Sequence, residues 1–102
     1  MNNNFELLSI GDASIDVFMT PTESETLCQI DTKECFIAFS YGDKIPVKNL
    51  EFSVGGNAAN NAVGVKRLGV NVGIVLTLGD DNIGELITKR LKDEGIDLTY
   101  VI

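Results

Sequence analysis

The sequence predicts an α/β fold, a parallel sheet with flanking helices, interrupted by a small antiparallel β insert. Three observations predict it. Short apolar runs typical of buried strands stand at residues 5–11, 70–79 and 96–102. Helical apolar spacing fills residues 56–68 and 83–94 between them. Residues 17–54, between the first run and the first helix, instead show partial apolar alternation broken by turn residues. Buried strands that alternate with helices argue for parallel pairing through right-handed crossovers.

The elements follow in order. "FELLSIG" reads as a buried strand, with Asp12 and Asp16 just past its end. In the insert, "LCQI", "CFIAFS" and "NLEFSV" read as three short strands, with "DTKE" and "YGDKIP" as turns. A helix follows Gly55-Gly56 and runs to Leu68, and Gly69 fits the position past its end. "VNVGIVLTLG" is the second buried strand. The next helix carries Ile83, Leu86, Ile87 and Leu91 on one face, with Asn82 and Glu85 spaced as a capping box and Gly95 as its stop. "IDLTYVI" begins the last strand. A three-strand parallel sheet leaves an uncovered edge, so residues 1–102 are expected to be the N-terminal part of a longer protein.

Composition excludes several functions. The chain of 102 residues is 44% hydrophobic and 23% charged, a globular balance. Its formal charge of -7 argues against nucleic acid or an anionic membrane as partner. No apolar run reaches the roughly 18 residues of a membrane span. The start, "MNNNFELLSIG", lacks the basic opening and long apolar core of a signal peptide, and the expected location is the cytoplasm. There is no histidine, so this chain holds no Ser-His-Asp triad, Cys-His pair or His-ligated metal. Cys28 and Cys35 cannot complete a structural zinc site. They flank a turn and can face each other across two strands; reduced, half-buried thiols are expected.

Three constellations carry candidate chemistry. In "GGNAAN", glycines at a helix start let a ligand approach the backbone, and the first amides of a helix suit anions or hydroxyl oxygens. Asn57, Asn60 and Asn61 fall near one face and offer donors and acceptors to a neutral polyol; capping by Asn57 is the plainer alternative. The small residues after them, Gly64 included, suit close packing of the helix on the sheet. Asp16 stands beyond a strand's carboxyl end, where open parallel sheets bind ligands, and can accept from two adjacent hydroxyls; it can equally be a turn residue. Asp80 and Asp81 could serve a metal or acid–base work, but Asp in this position more often makes turns and caps, and that role is favoured. Neither a G-x-x-x-x-G-K-[ST] loop nor a G-x-G-x-x-G after the first strand occurs.

Together these residues resemble the PfkB (ribokinase-like) family of sugar and nucleoside kinases. The glycine pair Gly55-Gly56, then Asn60, Ala62, Gly69 and Gly79 stand in register with its N-terminal signature. Gly11 with Asp16 matches an Asp shortly after a first strand that ends in glycine, and "GDDNIGE" looks like the family's turn into its next helix. The resemblance runs from about residue 5 to residue 102. It implies a ribokinase-like fold in which residues 17–54 form a β lid over the substrate, and a homodimer contact through that lid. It implies ATP-dependent phosphorylation of a hydroxymethyl group on a sugar or nucleoside, with ATP and Mg2+ as cofactors of the full-length enzyme. By the same analogy, Asp16, Gly55, Gly56, Asn57 and Asn60 bind the substrate. The family's second signature, Asp-Thr-x-Gly-Ala-Gly-Asp, holds the catalytic base and the anion hole and does not occur here. No catalytic residue is therefore assigned in this chain, most of the ATP site is expected outside it, and the chain alone is expected to be inactive. The alternative is a non-enzymatic polyol-binding or lid-dimerising protein.

Overall fold

The structure, a computed structural model, describes residues 5–102. The asparagine run at residues 2–4 lies outside the described residues. Two compact units divide the chain: one takes the chain up to Asp16 together with Phe52–Ile102, the other is Val17–Glu51.

The first unit is built on three parallel strands. β1 (Leu7–Ile10), β6 (Val72–Leu76) and β7 (Asp97–Val101) lie in the order β1-β6-β7. Leu7 is opposite Val72 and Ile10 opposite Val75; Gly73 is opposite Asp97, with an irregularity before Val75 meets Tyr100. α1 (Asn57–Arg67) and α2 (Asn82–Asp93) supply the helical cover. Val72, Ile74 and Leu76 form, by strand alternation, one face of β6 and pack with Ala58, Ala59, Ala62, Ile87, Leu91 and Ile96 in the buried core. Ile74 and Leu91 are fully enclosed.

The opposite face is open. Leu8 and Ile10 remain 39% and 72% exposed, and Tyr100 45%. On this face Phe5 meets Tyr100 edge-on, ring centroids 6.0 Å apart, over Gly73. Parallel sheets are normally covered on both faces, so half of the expected cover is absent among the described residues.

The predicted elements are present, with four differences. β2 (Ser14–Pro21) is an extra strand, so Asp16 lies inside a strand rather than in a turn. It pairs with β5 (Val47–Gly55), and β3 (Glu25–Gln29) pairs antiparallel with β4 (Glu34–Ala38). The cap of α2 is Asp81, not Asn82: its carboxylate accepts the Gly84 amide at 2.8 Å. Gly64 does not pack on the sheet; it is exposed, and a Cβ there would meet nothing within 4 Å. Ala58, Ala59 and Ala62 make the close approach instead. Cys28 and Cys35 are exposed and joined in a disulfide, not half-buried and reduced.

Candidate functional site

The helix that opens on poor helix formers is held by a residue 45 positions earlier in the chain. Asp12 accepts the Asn57 amide on its carboxylate at 2.8 Å. Its backbone carbonyl accepts the amides of Ala58 and Ala59 at 3.1 and 3.2 Å. Those are the first three amides of α1, the ones a helix cannot satisfy internally. Gly56 is the cap position and makes no side-chain bond, so Asn57 is not the cap. The sequence expectation that these amides stay open to a ligand is thereby corrected: they are already used. The signal was present in an aspartate after β1, but its partner was too distant in sequence to read.

The glycine pair answers to two close approaches. Gly56 has φ 94, and a Cβ there would lie 2.6 Å from the Ala13 Cα and 2.8 Å from the Asp12 carbonyl. No other residue fits that conformation and that gap without displacement. At Gly55 the approaching group is Asp16: a Cβ would lie 2.5 Å from its Oδ2. The Asp16 carboxylate therefore sits directly over the Gly55 backbone, beside the Ser14 hydroxyl, which would be 3.3 Å from the same Cβ. Asp16 is exposed although Gly55 beneath it is buried.

The three asparagines separate. Asn61 is structural: its side-chain amide donates to the Ser9 hydroxyl at 3.1 Å, and that hydroxyl donates to the Ala58 carbonyl at 3.0 Å. Ser9 is 4% exposed and Asn61, itself exposed, reaches in to it, so this pair ties α1 to β1. Asn57 and Asn60 are exposed. Asn60 lines a cleft of about 300 Å3 with Val54, Gly64, Arg67 and Arg90. Sequence reading missed the two cations that line it, where Glu94 pairs with Arg67 at 2.5 Å and with Arg90 at 3.0 Å. The Arg67 hydrogen bond holds the Glu94 carboxyl below its ordinary value, against the opposing effect of desolvation. A second cleft, about 540 Å3, lies within Val17–Glu51 and is lined by Thr22, Glu25, Phe39, Lys44 and Pro46; no predicted site residue contributes to it.

The arrangement places an exposed carboxylate, a glycine pair and two exposed side-chain amides on β2, β5 and the first turns of α1. Such groups can accept from and donate to neighbouring hydroxyls. The first α1 amides are occupied, and among the described residues no three Asp, Glu or Cys side chains gather as metal ligands. Asp81 is spent on the α2 cap. Among the described residues no helix is long and apolar enough to cross a membrane.

The fold is α/β, a three-stranded parallel sheet with helices and a β insert, and it carries a glycine pair under a strand-borne aspartate. Residues 5–102 match the pfkB family of carbohydrate kinases, and the chain belongs to that family. A 5-dehydro-2-deoxygluconokinase of Geobacillus kaustophilus is 45% identical over 49 residues, 48% of this chain and 15% of that protein. Arabidopsis thaliana ribokinase, solved with ribose and ATP, superposes with TM-score 0.71 at 27% identity over 95% of this chain and 27% of its own. The aminoimidazole riboside kinase of Salmonella enterica, solved with its riboside and an ATP analogue, gives TM-score 0.59 at 27% identity over 94% of this chain and 24% of its own. The chain thus spans about a quarter of the length of these solved kinases.

Proposed function

We propose that residues 5–102 are the substrate-holding and lid portion of an ATP-dependent kinase that phosphorylates a hydroxymethyl group of a sugar or nucleoside. The observation that carries the proposal is the seating of Asp16 over Gly55. An exposed carboxylate above bare backbone can accept two vicinal hydroxyls, and the missing Cβ of Gly55 is what lets the carboxylate sit there. Asn57 and Asn60 offer further polar contacts to the same substrate, and Gly56, packed against Ala13 and the Asp12 carbonyl, sets the turn that presents them. The insert acts as the lid, excluding water and so strengthening those contacts. Phe18, Met19, Phe36 and Ile37 of the insert are all exposed, 49–64%, which supports a contact between the lids of two copies. The catalytic base, ATP and Mg2+ belong to the remainder of the kinase, and residues 1–102 alone turn over nothing.

The test is phosphoryl transfer from ATP to a panel of sugars and nucleosides. It is run on the 102-residue chain and on the longest product of the gene. Turnover is expected only from a product that carries a catalytic base. In that product Asp16→Ala raises KM roughly ten- to hundredfold, the worth of one or two hydrogen bonds to a charged acceptor. An unchanged KM for every phosphorylated substrate removes Asp16 from the site. Turnover by the short chain overturns the division of labour.

A further inference from the structure

The hairpin β3–β4 stands without the usual supports of a hairpin. All five residues of β3 are exposed, as are four of the five in β4. It is a sheet of two strands only, and a lone two-stranded hairpin is marginal in water. Its connection, Ile30, Asp31, Thr32 and Lys33, holds none of the Asn-Gly or Gly-rich pairs that set tight hairpin turns. Lys33 is instead the one non-glycine among the described residues with a positive φ, at 58, a conformation unfavourable for such a side chain. Neither burial nor turn chemistry holds the strands in register. Beyond the backbone ladder of the two strands, what joins them is covalent. Cys28 is directly opposite Cys35, Cα atoms 4.1 Å apart, and the sulfurs are bonded. Both residues are exposed.

We propose that Cys28–Cys35 is a reversible thiol–disulfide modification site whose oxidation locks the β3–β4 hairpin and whose reduction by a dithiol releases it. Exposure is what makes the bond exchangeable, because exchange needs a thiolate to reach one of the sulfurs. A thiolate of the dithiol attacks one sulfur and breaks the Sγ–Sγ bond, forming a mixed disulfide. The displaced cysteine leaves as a thiolate and takes up a proton. The second thiol of the reductant displaces the other cysteine in the same way. Two electrons pass to the cysteine pair, and the reductant departs as its own disulfide. The bond closes a loop of few residues, so its effect is concentrated in the hairpin rather than spread over the chain. This inference stands on Val17–Glu51 alone and does not require the kinase reading.

The test uses the full 102-residue chain. It is equilibrated with oxidised glutathione, then treated with dithiothreitol. Alkylation mass counts free thiols, and amide hydrogen exchange follows each strand. The oxidised monomer is expected to take up no label and the reduced one two. Reduction speeds exchange at Glu25–Gln29 and Glu34–Ala38 roughly ten- to hundredfold. Exchange in β1, β6 and β7 stays as it was. A Cys28→Ser/Cys35→Ser chain shows the fast hairpin exchange with or without dithiothreitol. Free thiols that persist in oxidised glutathione, or a disulfide that joins two chains, overturn the proposal. Hairpin exchange indifferent to reduction overturns it as well, and so does an equal rise in all strands, which makes the bond a staple of the whole chain.

Discussion

The two units of this chain use apolar residues in opposite ways. In the α/β unit they are inside: Ile74, Leu91 and Ala62 have no exposure at all. In Val17–Glu51 they are outside: Phe18, Met19, Ile30, Phe36, Ile37 and Tyr41 are between 49% and 105% exposed, and no residue of this unit is buried. Similar side chains thus do different work. The first set lowers the free energy of one fold by leaving water. The second set stays in contact with water, and the strands that display it are held by pairing and a disulfide instead of a core.

The largest expected effect lies in the core. Leu91→Ala removes a fully enclosed side chain and is expected to cost about 2–5 kcal/mol, enough to leave the chain largely unfolded. Phe36→Ala, in the insert, is expected to cost under about 0.5 kcal/mol in the disulfide-bonded monomer. Urea titration followed by circular dichroism checks both. A comparable loss from Phe36→Ala would mean that the insert does have a core.

Two glycines of one region sharpen the contrast next. Gly56→Ala places a Cβ 2.6 Å from the Ala13 Cα at φ 94 and is expected to destabilise by about 1–3 kcal/mol. Gly64→Ala, in the exposed face of α1 with open space around it, is expected to stabilise by about 0.5–1 kcal/mol. The same substitution therefore changes sign within eight residues of one helix start. Thermal unfolding of the two variants measures it. A stabilised Gly56→Ala chain would show that the approach to Ala13 is not the constraint.

Much of this was legible in the sequence because it is local. Strand and helix existence followed from period, and Gly69 and Gly95 marked the helix ends where the chain indeed takes a positive φ. The family resemblance located Gly55, Gly56 and Asp16, which the fold brings together across 39 residues. The misreadings are non-local. Asp12 caps a helix from the far side of the insert, which no window of residues reveals. The Gly64 reading rested on the rule that small residues pack closely, which cannot say which face of the helix meets the sheet. Ser14–Pro21 was hidden as a strand because its residues are paired yet exposed, so alternation gave no signal. The cysteine pairing depended on register, which sequence suggests but does not fix.

The smallest effect separates the units by pH. Glu94 is held below its ordinary value of 4.5 chiefly by the Arg67 hydrogen bond, and Asp93 below 3.8 chiefly by that of Lys89. Both lie in the α/β unit. A carboxyl whose folded value is depressed contributes stability that is fully present above its unfolded value and is lost as the pH falls through the folded one. Arg67, Arg90, Lys89 and Asp93 are solvent-exposed and only Glu94 is partly buried, so the contribution is small and screened by salt. Thermal unfolding between about pH 6 and pH 3 is therefore expected to show a falling Tm that Glu94→Gln makes shallower, most clearly below the ordinary carboxyl range. Neutral-pH Tm should drop only slightly in the variant. An acid slope untouched by Glu94→Gln would place the acid sensitivity elsewhere, and the acidic insert, with Glu23, Glu25, Asp31, Glu34 and Asp43, is where the same measurement would then be repeated.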